Sequence, residues 1–296
     1  MKLGCHVSNK GKMMLEGAVM EAISYGANSL MVYLGAPQNS FRKPIAEYRI
    51  REAHQLAEKN NISFHDVIIH SPYIINLAQG NLDKRRFAVD FVVSEIINSS
   101  IIGVKYYVFH PGSYLNLTPE QGLENVAASV KEIIDRTSDT KIDLLVETMA
   151  GKGTEYCRNF SEIGSLIKMV DSPRLKVCFD TCHVHDAGYD IVSDYEGVIT
   201  AFDQQIGLHR LALFHINDSK NDAGTRKDRH ENIGYGKIGF PALLRIVDDA
   251  RFTDRAKLLE TPYIKVNDKE FPPYQAEIAM LRQKQFNDFI VDIKKG

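Results

Sequence analysis

The sequence predicts a barrel of eight parallel β-strands, each followed by a helix. This fold is the (β/α)8 or TIM barrel. Six short apolar runs end on a residue that can bind a metal ion, namely His70, His110, Glu147, Asp180, His215 and Glu260. Their spacings are 40, 37, 33, 35 and 45 residues, and 296 residues divided by eight gives 37, the length of one strand, one helix and two loops. Because such barrels carry their chemistry at the carboxyl ends of the strands, these six side chains should converge.

The composition fits one large domain over residues 1–296. The chain is 44% apolar and 25% charged, so it can bury a full core. Strand and helix patterns alternate from end to end, and no Pro/Gly/Ser-rich linker separates two halves. We therefore expect a single α/β catalytic domain with extended loops at the C-terminal face.

The first part of the chain predicts three strands and three helices. Gly26 ends the first helical pattern, Pro44 is placed to begin the second, and Gly103 ends the third. The strands are expected at residues 2–8, at 29–34 and up to residue 70, and the helices at 13–25, 44–59 and 82–102.

The remaining strands are expected to end at the other five metal-ligating residues. Thr118-Pro119-Glu120-Gln121 combines an N-cap, a Pro at the first helical position and a capping box, so it opens a helix that runs to about residue 136. Further helices are expected at residues 161–170, 194–206, 241–250 and 274–286.

Three more candidate ligands lie just beyond these strand ends. His183 follows Asp180 by three residues, and Asp228 and His230 are two residues apart. The set of nine mixes imidazoles with carboxylates and contains no cysteine, which suits zinc, manganese or iron. With three or four protein ligands per ion, and some carboxylates shared, three metal ions are the natural number.

Each of these residues also has a purely structural interpretation. A single histidine at a strand end is more often a hydrogen-bonded structural residue, and an acidic residue there can cap the next helix. The repeated placement on six successive strands favours the metal site. Cys178 and Cys182, which flank Asp180, are expected to be small buried hydrophobes, although a thiolate ligand or redox switch is the alternative.

The rest of the chain predicts a cytoplasmic protein. The N-terminus enters a strand directly and lacks the features of a signal peptide, and no apolar run is long enough to span a membrane. We expect no membrane partner. Because the helical patterns leave no apolar helix exposed, we expect a monomer.

Six segments in order resemble the endonuclease IV family of abasic-site (AP) DNA endonucleases. They are residues 110–113 (HPGS), 147–151 (ETMAG), 179–183 (FDTCH), 215–220 (HINDSK), 227–234 (KDRHENIG) and 259–262 (LETP). The similarity covers nearly the whole chain. It implies a βα barrel that holds three metal ions, usually zinc, and hydrolyses DNA on the 5′ side of an abasic site to leave a 3′-hydroxyl.

The resemblance also implies a role for each of the nine ligands. His70, His110 and Glu147 would hold the first ion. Glu147, Asp180, His215 and Glu260 would hold the second, and His183, Asp228 and His230 the third. Glu147 and Glu260 are the candidate catalytic residues, since Glu147 would set the separation of two ions and Glu260 could orient the attacking water or accept its proton. The expected cofactor is three Zn2+ ions, with Mn2+ or Fe2+ as alternatives at some sites.

Double-stranded DNA containing abasic sites is the expected partner. Tyr73 matches a tyrosine of the family that enters the duplex, and Gln38 with Asn39 stands in the loop where some members place an arginine. Arg229 is either a phosphate contact or an ordinary solvated charge, and His6 is either a neighbour of the site or a packed histidine of the barrel. The formal charge of -2 looks wrong for a DNA-binding protein, but three divalent ions would change it to -2 + 6 = +4.

Two other classes of function stay open. One is a two-metal aldose-ketose isomerase on a barrel of the xylose isomerase type, for which Asp228, His230 and His183 supply more imidazole than the chemistry needs. The other is a non-catalytic DNA-damage binder. The main prediction is an AP endonuclease of base excision repair that also removes 3′-blocking groups.

Overall fold

The fold is a closed barrel of eight parallel strands, which a computed structural model describes over residues 1–295. The barrel strands, numbered β1 to β8, are Lys2–His6, Ser29–Val32, Val67–His70, Tyr106–Phe109, Asp143–Glu147, Leu175–Asp180, Leu211–His215 and Ala256–Leu259. Each strand pairs in parallel with its neighbours in sequence, and β1 pairs with β8 to close the ring. The predicted fold class is confirmed.

Helices α1 to α10 surround the barrel. They are Met14–Ser24, Ile50–Lys59, Leu82–Ile102, Pro119–Arg136, Phe160–Val170, Thr181–Ala187, Tyr195–Gln205, Phe240–Val247, Tyr274–Gln283 and Phe289–Lys295. The capping box of α4 is formed, and Gly103 ends α3 with a φ of 87°.

The sequence-based expectations miss two helices and misplace the start of another. The segment 44–59 is broken at Arg49, whose φ of 52° separates a 3-10 turn from α2. Helix α6 stands where a loop is expected, because the pattern marks Asp180 only as a ligand, whereas its side chain also caps the helix by accepting the N–H of His183. Helix α10 is the second helix that the sequence pattern does not predict.

The barrel interior is filled by one layer of apolar side chains. This interior layer consists of Met31, Ile68, Val108, Leu145, Cys178, Leu213 and Leu258, and Ala212 and Ala256 belong to the same buried cluster. On β1 the matching position is Gly4, where a Cβ atom would lie only 1.8 Å from the carbonyl oxygen of Ser29. Removing one such side chain, for example by Leu145→Ala, would cost about 2–5 kcal/mol.

Two small antiparallel ladders extend the C-terminal face. Asp218–Ser219 pairs with His230–Glu231, and Ile264–Val266 pairs with Lys269–Phe271.

Over residues 1–295, none of the helices is both long and apolar enough to cross a bilayer. Helix α3 exposes Phe87, Ile97 and Ile101 by 53, 45 and 54%. The premise for expecting a monomer, that no apolar helix face is exposed, is therefore wrong, and the oligomeric state stays a prediction.

Candidate metal centre

The six ligands from the strands form a second layer directly above the apolar one. Each follows a residue of the interior layer by two positions, as His70 follows Ile68 and Glu147 follows Leu145. Because alternate residues of a strand face the same side, these side chains point into the barrel. Four stand on the last residue of a strand, and His110 and Glu260 stand one residue beyond it, where the expected strand ends are one residue too late.

Glu147 lies at the centre of this ligand layer. Its Oε2 is 3.0 Å from Nε2 of His70 and 3.2 Å from Nε2 of His110. Its Oε1 is 3.1 Å from Nδ1 of His215 and 3.3 Å from Nδ1 of His183. Each carboxylate oxygen thus faces a different set of histidines, which is the arrangement of a carboxylate that bridges two metal ions.

Around His215 the structure brings together the carboxylates of Asp180 and Glu260. Nδ1 of His215 is 3.0 Å from Oε2 of Glu260 and 3.8 Å from Oδ2 of Asp180. Asn217 orients both acids, because its amide donates to Oδ2 of Asp180 at 2.7 Å and its Oδ1 accepts the backbone N–H of Glu260 at 2.8 Å. These groups can hold a second ion together with Glu147.

The remaining three ligands form a separate group at the edge of the mouth. Oδ1 of Asp228 is 3.0 Å from Nε2 of His183 and 3.7 Å from Nε2 of His230. Ligand atoms of all three residues lie within 4.8 Å of one another. The structure therefore brings together all nine residues predicted as ligands. His183 and His230 also approach Glu147 and Asp180 to 3.3 and 3.9 Å, and the assignment of each residue to one of three ions stays a prediction.

The hydrogen bonds of the histidine rings fit metal binding. In His70, His183 and His230 the Nδ1 atom lies 2.7, 2.8 and 3.2 Å from a backbone carbonyl oxygen. A proton on Nδ1 that is donated to this carbonyl leaves a lone pair on Nε2, and such a partner is typical of histidines that bind metals. In His70 and His183 this lone pair faces a carboxylate oxygen, so a cation is needed between the two acceptors.

The pKa shifts of the carboxyl and imidazole groups also indicate that positive charge stabilises this site. Burial by itself raises the pKa of the Glu147 carboxyl, but the charges of His215 and His110 lower it well below its usual value. Burial likewise lowers the pKa of the His183 imidazole, but the Asp180 charge and the Asp228 hydrogen bond raise it well above its usual value. In the absence of metal, protons on the histidines would supply the charge that the carboxylates require.

The four cysteines are free and buried. The Cys178 thiol lies beside Glu147 and His215, where it could be taken for a ligand. Its side chain packs, however, among the apolar side chains of the interior layer, and burial raises the pKa of this thiol to about 12. This supports the interpretation of Cys178 as a buried hydrophobe.

The structure places the residues expected to contact DNA around the mouth. Tyr73 is 55% exposed and lines a cavity of about 240 Å³ that also contains His110. Gln38 is exposed and lines a cleft of about 310 Å³ together with His6. Arg229 is exposed, and its guanidinium donates to the carbonyl of Asp228 at 3.2 Å.

The side chains of two residues in the loop after β2 are held by contacts within the protein. The amide oxygen of Asn39 accepts the N–H of Phe41 at 3.0 Å, so it stabilises a turn of its own loop. Arg42, in the same loop, forms an ion pair with the buried Glu95 and packs over the ring of Phe91. The Arg42 side chain therefore belongs to the packing between the loop and α3.

His6 completes the ligand layer on β1. It follows Gly4 by two positions, and its ring contacts Tyr33 of the next strand with a centroid distance of 4.9 Å. Nε2 of His6 is buried and makes no hydrogen bond within residues 1–295. Burial lowers the pKa of the imidazole to about 4, although Glu260 acts in the opposite direction. His6 thus stands beside the ligands as a neutral ring.

Several buried acceptors behind the ligands were not found from the sequence. Asp186, Asp218 and Glu277 are fully buried and accept hydrogen bonds from the loops that carry the ligands. Asn217 and Asp218 follow His215 by two and three residues, so their position behind the site could have been inferred. No comparable signal marks Asp186 or Glu277, because both lie on helices.

Fold and site together define a metal-binding (β/α)8 barrel enzyme. The family model described as xylose isomerase-like TIM barrel matches residues 19–284. Probable endonuclease 4 of Acholeplasma laidlawii is 46% identical over 97% of this chain and 96% of its own length, and that of Bacillus licheniformis is 48% identical over 99% and 98%. The chain belongs to the endonuclease IV family of abasic-site DNA endonucleases.

Solved structures agree with this assignment. Endonuclease IV from Thermus thermophilus superposes with a TM-score of 0.82 at 30% identity and covers 96% of this chain and 98% of its own. A D-tagatose 3-epimerase-like protein has a TM-score of 0.69 at 17% identity over 100% and 98% of the chains, which shows a shared fold alone. The predicted family and the predicted class of DNA-hydrolysing enzyme are confirmed.

Proposed function

We propose that this chain acts in base excision repair with three metal ions, hydrolysing the phosphodiester bond on the 5′ side of an abasic site in duplex DNA and leaving a 3′-hydroxyl. The observation that carries the proposal is the position of Glu147. One of its oxygens faces His70 and His110, while the other faces His215. A bridged pair of ions is suited to hydrolysis of a phosphodiester.

Nine side chains would hold the ions, which we propose to be zinc, with Mn2+ or Fe2+ as alternatives at some sites. The first group is His70, His110 and Glu147, the second is Glu147, Asp180, His215 and Glu260, and the third is His183, Asp228 and His230. When bound, such ions supply an activated water nucleophile and positive charge against the phosphate. Mixed nitrogen and oxygen ligands support zinc over magnesium or calcium.

The protein's own contribution is to place these groups and to handle the proton. Glu147 fixes the separation of the first two groups because it is fully buried between them. The Glu260 side chain is 16% exposed, and Asn217 approaches it from behind at 3.4 Å. Among the carboxylates of the first two groups, Glu260 is the most exposed, so it is the one that could face a water molecule and accept its proton.

The mouth would bind the damaged duplex. We propose that Tyr73 enters the duplex at the lesion, since its ring is exposed beside His110. Gln38, Asn39 and Arg229 lie on neighbouring loops and would contact the strand, and His6 would line the bottom of the opening. With a formal protein charge of -2, attraction for phosphate would come mainly from the bound ions.

The test uses the zinc-replete protein and a duplex oligonucleotide with one tetrahydrofuran abasic analogue. We expect a single cut 5′ to the analogue that leaves a 3′-hydroxyl, and no cut in the same duplex without it. A duplex with a 3′-phosphate at a nick tests the removal of 3′-blocking groups. Binding without cleavage would support a DNA-damage binder, turnover of an aldose would support an isomerase, and either result would contradict our proposal.

A further inference from the structure

Buried carboxylates that bind no metal hold the loop that carries two ligands of the third group. We call residues 220–232 the third-site loop. At its base Asp218, which is fully buried, accepts hydrogen bonds from five backbone N–H groups, those of Ser219, Gly234, Gly236, Ile238 and Gly239. The ends of the loop are therefore fixed to one side chain, but within residues 1–295 the Asp218 carboxylate makes no hydrogen bond to Asp228 or His230.

Asp186 does reach a ligand directly. It is fully buried on α6, and its Oδ2 accepts the backbone N–H of Asp228 at 2.8 Å. Its Oδ1 accepts the hydroxyl of Ser219 at 2.6 Å. Its carbonyl oxygen also accepts the N–H of Arg226 at 2.9 Å. One residue thus holds the third-site loop at Asp228 and Arg226, and it also holds Ser219 directly before the loop.

The backbone at these points needs such support. Asp228 has a φ of 54° and Arg226 a φ of 56°. Both values lie in the left-handed region, which residues other than glycine rarely adopt. Residues in such conformations persist only where surrounding contacts determine them. Both are on an exposed loop, and the N–H of each is bound by Asp186.

Helix α6 connects this support to the other ligand. His183 and Asp186 are three residues apart on the helix, so their side chains lie on one face. His183 enters the third group itself, with Nε2 3.0 Å from Oδ1 of Asp228. Asp186 holds the backbone of the same Asp228. The distance between His183 and Asp228 is therefore set by one rigid helical turn.

We propose that Asp186 is a positioning residue that holds Asp228 in place for the third metal ion. The proposal rests on the three-ion function proposed above. Without the Asp186 carboxylate, the strained loop would relax and Asp228 would leave its place opposite His183. The first two groups share no hydrogen bond with Asp186 within residues 1–295, so they should keep their ions.

The test is the Asp186→Asn variant, in which an amide NH2 replaces one of the two accepting oxygens and faces a donor. The matched control is Asp249→Asn. Asp249, like Asp186, accepts a backbone N–H, from Arg251, and a hydroxyl, from Tyr195; it also pairs with the Arg251 guanidinium, and it lies just before β8 at the opposite end of the barrel. We measure bound zinc by mass spectrometry and hydrogen exchange of the amides of residues 226–230.

We expect Asp186→Asn to bind about two ions in place of three, with at least about tenfold weaker affinity at the lost site and faster exchange in the loop. Asp249→Asn should bind as many ions as the wild type. Excess zinc should restore the cleavage rate of Asp186→Asn, because the defect lies in affinity. Unchanged metal content, or equal loss from all three sites, would overturn the proposal.

A second variant covers the case in which Asp186→Asn does not fold. Ser219→Ala removes the hydroxyl that donates to Asp186 and that also accepts the backbone N–H of Asn221, and we expect a several-fold weaker third site with the other two unchanged. An unchanged third site in this variant would also overturn the proposal. Failure of the proposed function would be seen in a different measurement. If the wild type bound three ions but did not cleave abasic DNA, the proposed function would be wrong, and the metal content of the variants would still test the role of Asp186.

Discussion

The strand-borne ligands and the loop-borne ligands of the centre are held in different ways. His70, Glu147 and Asp180 are at most 2% exposed and stand on strands of the closed barrel. In the third group, the Asp228 and His230 side chains are 30 and 20% exposed and stand on a loop. Strand ligands are aimed by the alternation of the backbone, whereas loop ligands depend on hydrogen bonds from buried acceptors.

This difference predicts how the two parts respond to change. Removing a strand ligand leaves the barrel in place, so the loss should be chemical and confined to the ions that share that residue. Removing support from the loop should change the position of ligands that are themselves intact. The predictions below test this contrast, from the largest expected effect to the smallest.

Glu147→Gln should have the largest effect. Glutamine has only one carboxamide oxygen to offer where Glu147 has two, so it cannot face both histidine groups in the same way. We expect kcat/KM on abasic duplex to fall by at least about 10³-fold, together with the loss of one or both of the first two ions. Steady-state cleavage and zinc content provide the measurement.

Glu95→Gln is the control for loss of a buried carboxylate. Glu95 is 1% exposed and pairs with Arg42 and Tyr107 outside the centre. This variant should lower the melting temperature but keep three ions and a near-normal kcat. A similar loss of activity in both variants would mean that Glu147 matters for stability and not for the bridge.

His183→Ala should separate the third group from the other two. We expect the third ion to be lost, two to be retained, and kcat to fall by about 10²-fold because charge stabilisation at the phosphate is reduced. His185→Gln, on the same helix, is the control, since its Nε2 lies 3.1 Å from a carbonyl oxygen of Asn221, to which a glutamine amide can donate. Proportional loss of all three ions from His183→Ala would argue against an independent third site.

Chelation should release the ions in two steps. The third ion should leave first, at roughly tenfold lower chelator concentration, because its ligands come from a loop and a short helix. The measurement is zinc release against chelator concentration, with thermal stability followed in parallel. A single step that releases all three ions together would contradict the contrast between strand and loop ligands.

The smallest effect on catalysis is expected for Glu277→Gln. Glu277 lies on α9 and accepts hydrogen bonds from the end of the third-site loop. It accepts the N–H of Ile233 at 2.9 Å and the amide of Asn232 at 3.1 Å. Burial raises the pKa of its carboxyl from 4.5 to about 7, although the hydrogen bond from Thr261 acts in the opposite direction. The folded protein therefore keeps this group neutral at a pH where the unfolded chain ionises it.

The sign of the pH effect follows from the raised pKa. The stabilisation by the neutral acid is present below pH 4.5 and is lost as pH rises through 7, by about 3 kcal/mol in total. Glu277→Gln cannot ionise and should not show this loss. We expect its free energy of unfolding in urea, measured with chelator present, to increase relative to wild type over this range. A constant difference would show that Glu277 does not titrate there.

The part of the centre that stands on strands could be predicted from the sequence, since a repeated residue type at the end of a buried strand is a local pattern. The grouping of the ions around Glu147 could not be derived in that way and came from the resemblance. Asp186, Arg42 and Glu277 escaped prediction for a common reason. Their partners are 42, 53 and 44 residues away in sequence, and no local pattern encodes such pairs.

The ligand layer has eight inward positions, but only six of them carry metal ligands. The other two are adjacent, His6 on β1 and Tyr33 one residue beyond β2. Burial lowers the pKa of His6 and raises that of Tyr33, so both rings are uncharged at neutral pH. The charged and metal-binding groups therefore lie on one side of the opening, and the two neutral rings lie together on the other. A phosphate would be drawn towards one side of the barrel axis, and the uncharged sugar next to it would be left over the two neutral rings.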